Sequence, residues 1–215
     1  MGSKIEVHLN HLIDRYPKLI VCREEITKAY DLLEEAYSNG RKLLVCGNGG
    51  SASDSEHIVG ELMKEFKLKR KVYSDHAAVL KEIDSELGQT LAEHLQGALP
   101  AISLTGHSSL QTAFMNDAVS ELVFAQQVNG YGKPGDVFLG ISTSGNSKNV
   151  LYAAVNAKAK GLKVVGLTGA KENKLMKYAD VSIRVPETET FKIQELHLPV
   201  YHCLCLMLED YFFGE

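Results

Sequence analysis

Two short segments carry more hydroxyls, amides and glycines than a turn requires. Ser142-Thr143-Ser144-Gly145-Asn146-Ser147 sets four hydroxyls into flexible backbone at the start of a helix. One Ser or Thr is enough to cap a helix, so the excess points to an oxyanion ligand. No Gly-Lys-Ser/Thr follows, so this is not a nucleotide-triphosphate loop. Hydroxyls and amides without a lysine suit a phosphate monoester. The second segment is Gly47-Asn48-Gly49-Gly50-Ser51. Its glycines let backbone approach a ligand closely. Ser51 is placed to cap the following helix, with Asp54 as a weak capping-box acid. Free amides at a helix start bind anions, although a glycine-rich strand-to-helix turn with no ligand has the same composition.

The helix begun by this second segment contains His57 and Glu61. An i, i+4 pair shares one helix face, and zinc enzymes use that spacing to bring two ligands to one ion. Out of context such a pair is a solvated face. Here the helix starts at the anion loop, so the pair stands one and two turns from a bound ligand. Near the C-terminus, Lys192-Ile193-Gln194-Glu195-Leu196-His197 leads to His202. A lone histidine on an apolar helix is ordinarily a core group.

These residues need a scaffold, and the sequence spells one. Lys42–Gly47, Ala101–Gly106, Asp136–Ser142, Lys163–Gly169 and Val181–Pro186 are short apolar runs, most of them leading into Gly, Ser or Thr. Helical patterns lie between them at Ser53–Lys67, Glu82–Gln96, Leu110–Val128, Asn146–Lys160 and Leu175–Tyr178. Two more precede the first run, around Glu6–Tyr16 and Leu19–Asn39, parted by Pro17. Apolar runs alternating with helices predict a doubly wound α/β fold, a mostly parallel sheet of about five strands covered on both faces. Residues 1–40 form an N-terminal helical segment and 41–215 one compact unit. Ligands of such sheets bind at the carboxyl ends of the strands, near a switch in strand order, where both anion segments fall.

Bulk properties narrow the partners. Hydrophobic residues make up 45% and charged residues 23% of 215, with a formal net charge of -4. That is ordinary for a globular protein and offers no field for nucleic acid. No apolar run is long enough for a bilayer, and the N-terminus lacks a signal-peptide layout. Cys22, Cys46, Cys203 and Cys205 fit neither a zinc motif nor a disulfide framework. Buried thiols and a cytoplasmic location are the expectation.

ISTSGNS after one strand and GNGGSASDSEH after another resemble the SIS (sugar isomerase) domain, and within it the phosphoheptose isomerase branch. The likeness runs from about Leu19 to the C-terminus. It implies a flavodoxin-like SIS fold and phosphosugar contacts at Asn48, Gly49, Gly50, Ser142, Thr143, Ser144 and Ser147, with Ser51 in the same loop. It implies a sugar contact at Asn116 and Asp117. It also implies one zinc ion per subunit on His57, Glu61, Gln194 and His202, with Gln194 and Glu61 facing substrate, and it leaves His197 off the metal. Gln194 and His202 are separated by about 12 Å of rise and roughly 80° of rotation on a straight helix. Long side chains, a bend at Pro199, or donation between subunits would each reconcile them. The implied reaction is aldose–ketose isomerisation through an enediol, sedoheptulose 7-phosphate being the expected substrate. Glu61 is the expected base, His202 the expected acid, and a homotetramer the expected assembly. The apolar face Ile26, Tyr30, Leu33 and Ala36 is its expected helical interface.

Two departures stand out. Phe191 occupies a position where these isomerases usually carry aspartate, leaving Thr188, Glu189 or Thr190 as substitutes. The stretch from Lys64 to about Pro100 is longer, and Lys64-Glu65 replaces a Gly-Arg pair. Both bear on which sugar phosphate is used. The rival readings are an adaptor for the replication initiator, a sugar-phosphate sensor, and an isomerase or lyase of another phosphosugar. An adaptor has no need of the acid/base set, and no DNA-binding region accompanies a sensor.

Overall fold

A computed structural model describes residues 3–214. Five parallel strands, β1 (Leu43–Cys46), β2 (Ala101–Ser103), β3 (Val137–Ile141), β4 (Lys163–Gly169) and β5 (Val181–Val185), form one sheet in the order β2-β1-β3-β4-β5. Each lies inside its predicted run. Nine helices surround them in the described residues: α1 (Ser3–Arg15), α2 (Arg23–Ser38), α3 (Gly50–Met63), α4 (Ser74–Ile83), α5 (Leu87–His94), α6 (Ser108–Asp117), α7 (Val123–Tyr131), α8 (Lys148–Ala159) and α9 (Thr190–Phe213).

The pleat divides the core. Leu43, Val45, Val137, Leu139, Ile141, Val165 and Leu167 point to one face, into a cluster with α1, α2, α3 and α9. Their neighbours Leu44, Cys46, Phe138 and Val164 point to the other, against α7 and α8. Both faces being covered, the inner strands read as unbroken apolar runs rather than alternating ones. All four cysteines are buried and unpaired. No described helix is long and apolar enough to cross a membrane.

The structure corrects several expectations. Ile26, Tyr30, Leu33 and Ala36 are not an assembly surface: they are buried within the chain's own core, each at most 6% exposed. Leu110–Val128 is two helices, broken where Ala118 leaves the helical region (φ -137°, ψ -164°). α7 buries Val123, Phe124 and Val128, whereas α6 buries nothing. Glu82–Gln96 is likewise split. Asp84 turns extended (φ -151°, ψ 125°), and its carboxylate accepts the amides of Glu86 and Leu87, starting α5 afresh. Leu19–Asn39 begins as a 3-10 turn over Pro17–Cys22 before α2. α9 continues without interruption past Pro199 for 24 residues in all.

Candidate active site

Strand order reverses between β1 and β3: from β1 the chain crosses to β2 on one side, and β3 leads to β4 on the other. Such a reversal opens a crevice at the carboxyl ends of the strands. The Gly47–Ser51 loop leaves β1 there and the Ser142–Ser147 loop leaves β3.

In the first loop, Gly49 is left-handed (φ 57°), a conformation open chiefly to glycine. A Cβ on Gly50 would sit 2.6 Å from Gln194 Nε2, so the Gln194 amide reaches the start of α3. α3 starts at Gly50, which puts Ser51 inside the first turn, 3% exposed and not capping. Asp54 makes no capping bond either; it accepts from the Tyr201 hydroxyl at 3.1 Å.

In the second loop, Gly145 is also left-handed (φ 63°), and a Cβ there would collide with Asn173. The Ser142 and Ser147 hydroxyls lie 3.1 Å apart. Ser147 stands at the start of α8, yet no side chain caps that helix. The hydroxyls are therefore not consumed by capping, and a helix start offers amides to an anion, that of Val150 being taken by Asn149 Oδ1 at 3.0 Å. Asn149, absent from the sequence reading, ties the loops together. Its side-chain amide donates to Asn48 Oδ1 (2.8 Å) and its Oδ1 accepts from Asn48 Nδ2 (3.0 Å). A cleft of about 180 Å³ beside the second loop is lined by Thr143, Ser144, Thr188, Thr190 and Lys171. Phe191 is 56% exposed and does not line it.

Four residues of α3, Gly50, Asp54, His57 and Glu61, follow at spacings of four, three and four, which is one helix face. α9 packs along it. His57 Nε2 lies 3.1 Å from Glu61 Oε1 and 3.5 Å from His202 Nε2. His57 Nδ1 meets the Tyr201 hydroxyl at 3.0 Å, so an Asp54–Tyr201–His57 chain fixes the ring. Lys64 donates to the other Glu61 oxygen at 3.2 Å. Burial holds the His202 imidazole below its ordinary pKa, with His57 adding to the effect and Glu61 opposing it. Burial raises the Asp54 carboxyl and, more strongly, the Tyr201 phenol.

Gln194 does not join the cluster. Its amide abuts Gly50, two helical turns before His57 on α3. Asn116 and Asp117 lie exposed at the end of α6, bonded to each other at 2.8 Å. His197 is fully buried on α9. Among the described residues no three His, Cys, Asp or Glu side chains are arranged as a metal site. Even so, two imidazoles and a carboxylate are donors that suit zinc. The bond at His57 Nδ1 also turns Nε2 toward the other two, the orienting role that ligating histidines receive from a neighbour.

The SIS domain profile matches residues 20–97 and 74–169. Phosphoheptose isomerase from Clostridium acetobutylicum is 37% identical over 100% of this chain and 98% of its own length. That of Rhodospirillum rubrum is 36% identical over 98% of both. The chain belongs to the SIS domain family, in its phosphoheptose isomerase branch. Solved phosphoheptose isomerases share the fold of this SIS chain. The Francisella tularensis structure superposes with a TM-score of 0.72 at 30% identity, covering 98% of this chain and 100% of that one. The Neisseria gonorrhoeae structure gives 0.70 at 30%, covering 95% and 92%.

Asn149, Tyr201 and the bond from Tyr201 to Asp54 are not legible in the sequence for one reason. Each involves partners more than 100 residues apart in the chain, and local spacing does not signal such a pairing.

Proposed function

We propose that this SIS isomerase interconverts sedoheptulose 7-phosphate and D-glycero-D-manno-heptose 7-phosphate through an enediol. One observation carries the reading. α3 begins in the anion loop and holds His57 and Glu61 on the face that also carries Gly50, with His202 beside them. A substrate whose phosphate and carbonyl lie at opposite ends of a long chain suits such a layout.

The phosphate takes the amides and hydroxyls of Asn48–Ser51 and Ser142–Ser147. Glu61 removes the proton from C1 of the ketose and returns it to C2, while the O1 proton leaves and the O2 carbonyl becomes a hydroxyl. His202, beside His57 and Glu61, supplies and recovers the proton on oxygen. Each positioned acid or base contributes about 10²–10⁴-fold. Gln194, beside Gly50, is read as a substrate contact at the phosphate end, and Asn116 and Asp117 as sugar contacts. Thr188 and Thr190 stand in for the carboxylate that Phe191 displaces.

His57, Glu61 and His202 would hold one zinc ion per subunit, whereas Gln194, beside Gly50, stands apart from these three donors. When bound, the ion supplies polarisation of the carbonyl and adjacent hydroxyl oxygens. A homotetrameric assembly in the cytoplasm completes the reading. Exposed apolar side chains on α4 and α5 (Val79, Ile83, Leu87 and Leu91) support it by offering surface for other copies.

Incubation with a panel of sugar phosphates in heavy water tests the substrate and the chemistry together. Deuterium should enter C2 of the heptose with sedoheptulose 7-phosphate as substrate. Exchange only with another sugar phosphate would favour a different isomerase, the reading that Phe191 and the Lys64–Pro100 stretch keep in play. No exchange with any sugar, together with capture of the replication initiator, would favour the adaptor.

A further inference from the structure

Behind the acid/base cluster lies an ion pair that the mechanism does not use. Arg70 and Glu209 are buried, their side chains 0% and 1% exposed, and Arg70 Nε donates to Glu209 Oε1 at 2.7 Å. The rest of the guanidinium fork is spent on α3: Nη1 donates to Leu62 O (2.8 Å) and Nη2 to Glu61 O (2.9 Å). Those carbonyls belong to the last turn of the helix, which has no intrahelical donors for them. Glu209 accepts the amides of Phe66 and Lys67, each at 2.9 Å. The Phe66 ring in turn packs on His202, centroids 5.4 Å apart. The Phe213 ring covers the guanidinium at 4.8 Å.

We infer that Arg70, with Glu209, is a positioning residue for the isomerisation: the pair fixes the turn that carries Glu61 and the Phe66 ring that flanks His202. A buried pair is weak as a source of stability, because desolvation offsets its attraction, and apolar replacement of both partners is often neutral. Arg70 does what an apolar pair does not. It bonds the backbone of Glu61 itself, and through Glu209 it sets the ring against His202, so one side chain registers both groups to each other. Lysine lacks the planar fork and could not make all three bonds.

This inference rests on the isomerase reading above, and its test separates the two. Arg70→Lys and the double variant Arg70→Met/Glu209→Gln are compared with wild type for melting temperature, kcat and KM on sedoheptulose 7-phosphate. The double variant avoids leaving one buried charge unpaired. Both are assayed well below their melting temperatures. In each, kcat should fall about tenfold to a hundredfold, the scale of a small misplacement of catalytic groups. KM should stay within about threefold, because the anion loop lies about 16 Å of helical rise away at the other end of α3. Folded variants that keep wild-type kcat overturn the inference and leave the pair a structural one. A proportional rise in KM alone overturns it too. A wild type that does not turn over the sugar sinks the isomerase reading, and this inference falls with it.

Discussion

Glu61 is held from two sides. One oxygen faces the His57 imidazole at 3.1 Å and the other takes the Lys64 ammonium at 3.2 Å. A carboxylate so held is a fixed base, and it is also a ready ligand for a cation. Glu61→Gln separates these roles, since glutamine keeps the shape and loses the proton acceptor. If Glu61 is the base, turnover should fall by at least about 10² while calorimetry finds sugar-phosphate affinity unchanged. Recovery of the rate by excess zinc would show ligation to be its main task. The anion loop has its own test. Ser144 is exposed, and its hydroxyl accepts only the amide of Asn146, at 3.2 Å. Ser144→Asp sets a negative charge among the donors and should abolish binding of any sugar phosphate with little change in melting temperature. Unchanged affinity would put the phosphate elsewhere.

At the scale of elements, α9 determines what α3 can do, because it carries Gln194, Tyr201, His202 and Glu209 along one neighbour. It also carries His197, 0% exposed, whose ring nitrogens have no protein partner at hydrogen-bonding geometry. Burial lowers its pKa to about 4, the nearby Thr168 backbone opposing only in part. The sign follows from linkage. Below about 6.5 the unfolded chain binds a proton there and the folded one does not. Stability is then lost as pH falls from about 6.5 toward the folded pKa, by up to about 3 kcal/mol. Above that range the group contributes no pH dependence. His197→Leu should flatten this part of the profile, so urea midpoints at pH 7 and pH 5 should differ less than in wild type. An identical difference in both proteins would show that His197 is not responsible. The strands were legible because each is a short apolar run stopped by Gly, Ser, Thr or Pro. The breaks at Asp84 and Ala118 were not, because neither involves glycine or proline. The position of the two Gly/Ser-rich loops at strand ends was readable from the apolar runs that precede them. The Arg70–Glu209 pair was not, since it joins a loop to a helix end 139 residues on.

At the scale of the whole molecule, the α4–α5 pair stands largely outside the core. α4 buries no residue, and α5 buries only Gly88. The two helices pack mainly on each other, joined at their base by a bridge between Lys71 and Gln96. Tyr73, Ile83 and Leu87 are 71%, 78% and 67% exposed. Scattered single apolar residues at a surface need no explanation, whereas a contiguous set marks an interaction site. The α2 face of Ile26, Tyr30, Leu33 and Ala36, by contrast, is spent on the chain's own core, and the N-terminal segment exposes only Val7, Ile20 and Val21 among its large apolar side chains described. If copies of this chain associate, the α4–α5 hairpin is therefore the surface that should drive it. Light scattering at micromolar concentration should give the mass of four chains of 23.6 kDa each. Replacing Ile83 and Leu87 together by Glu should lower that mass, since burying two unpaired carboxylates in an interface is costly. Helix content should hold, because neither side chain is buried within the chain. A wild-type mass of one chain would rule out the tetramer. A four-chain mass that survives both substitutions would instead place the interface on another surface.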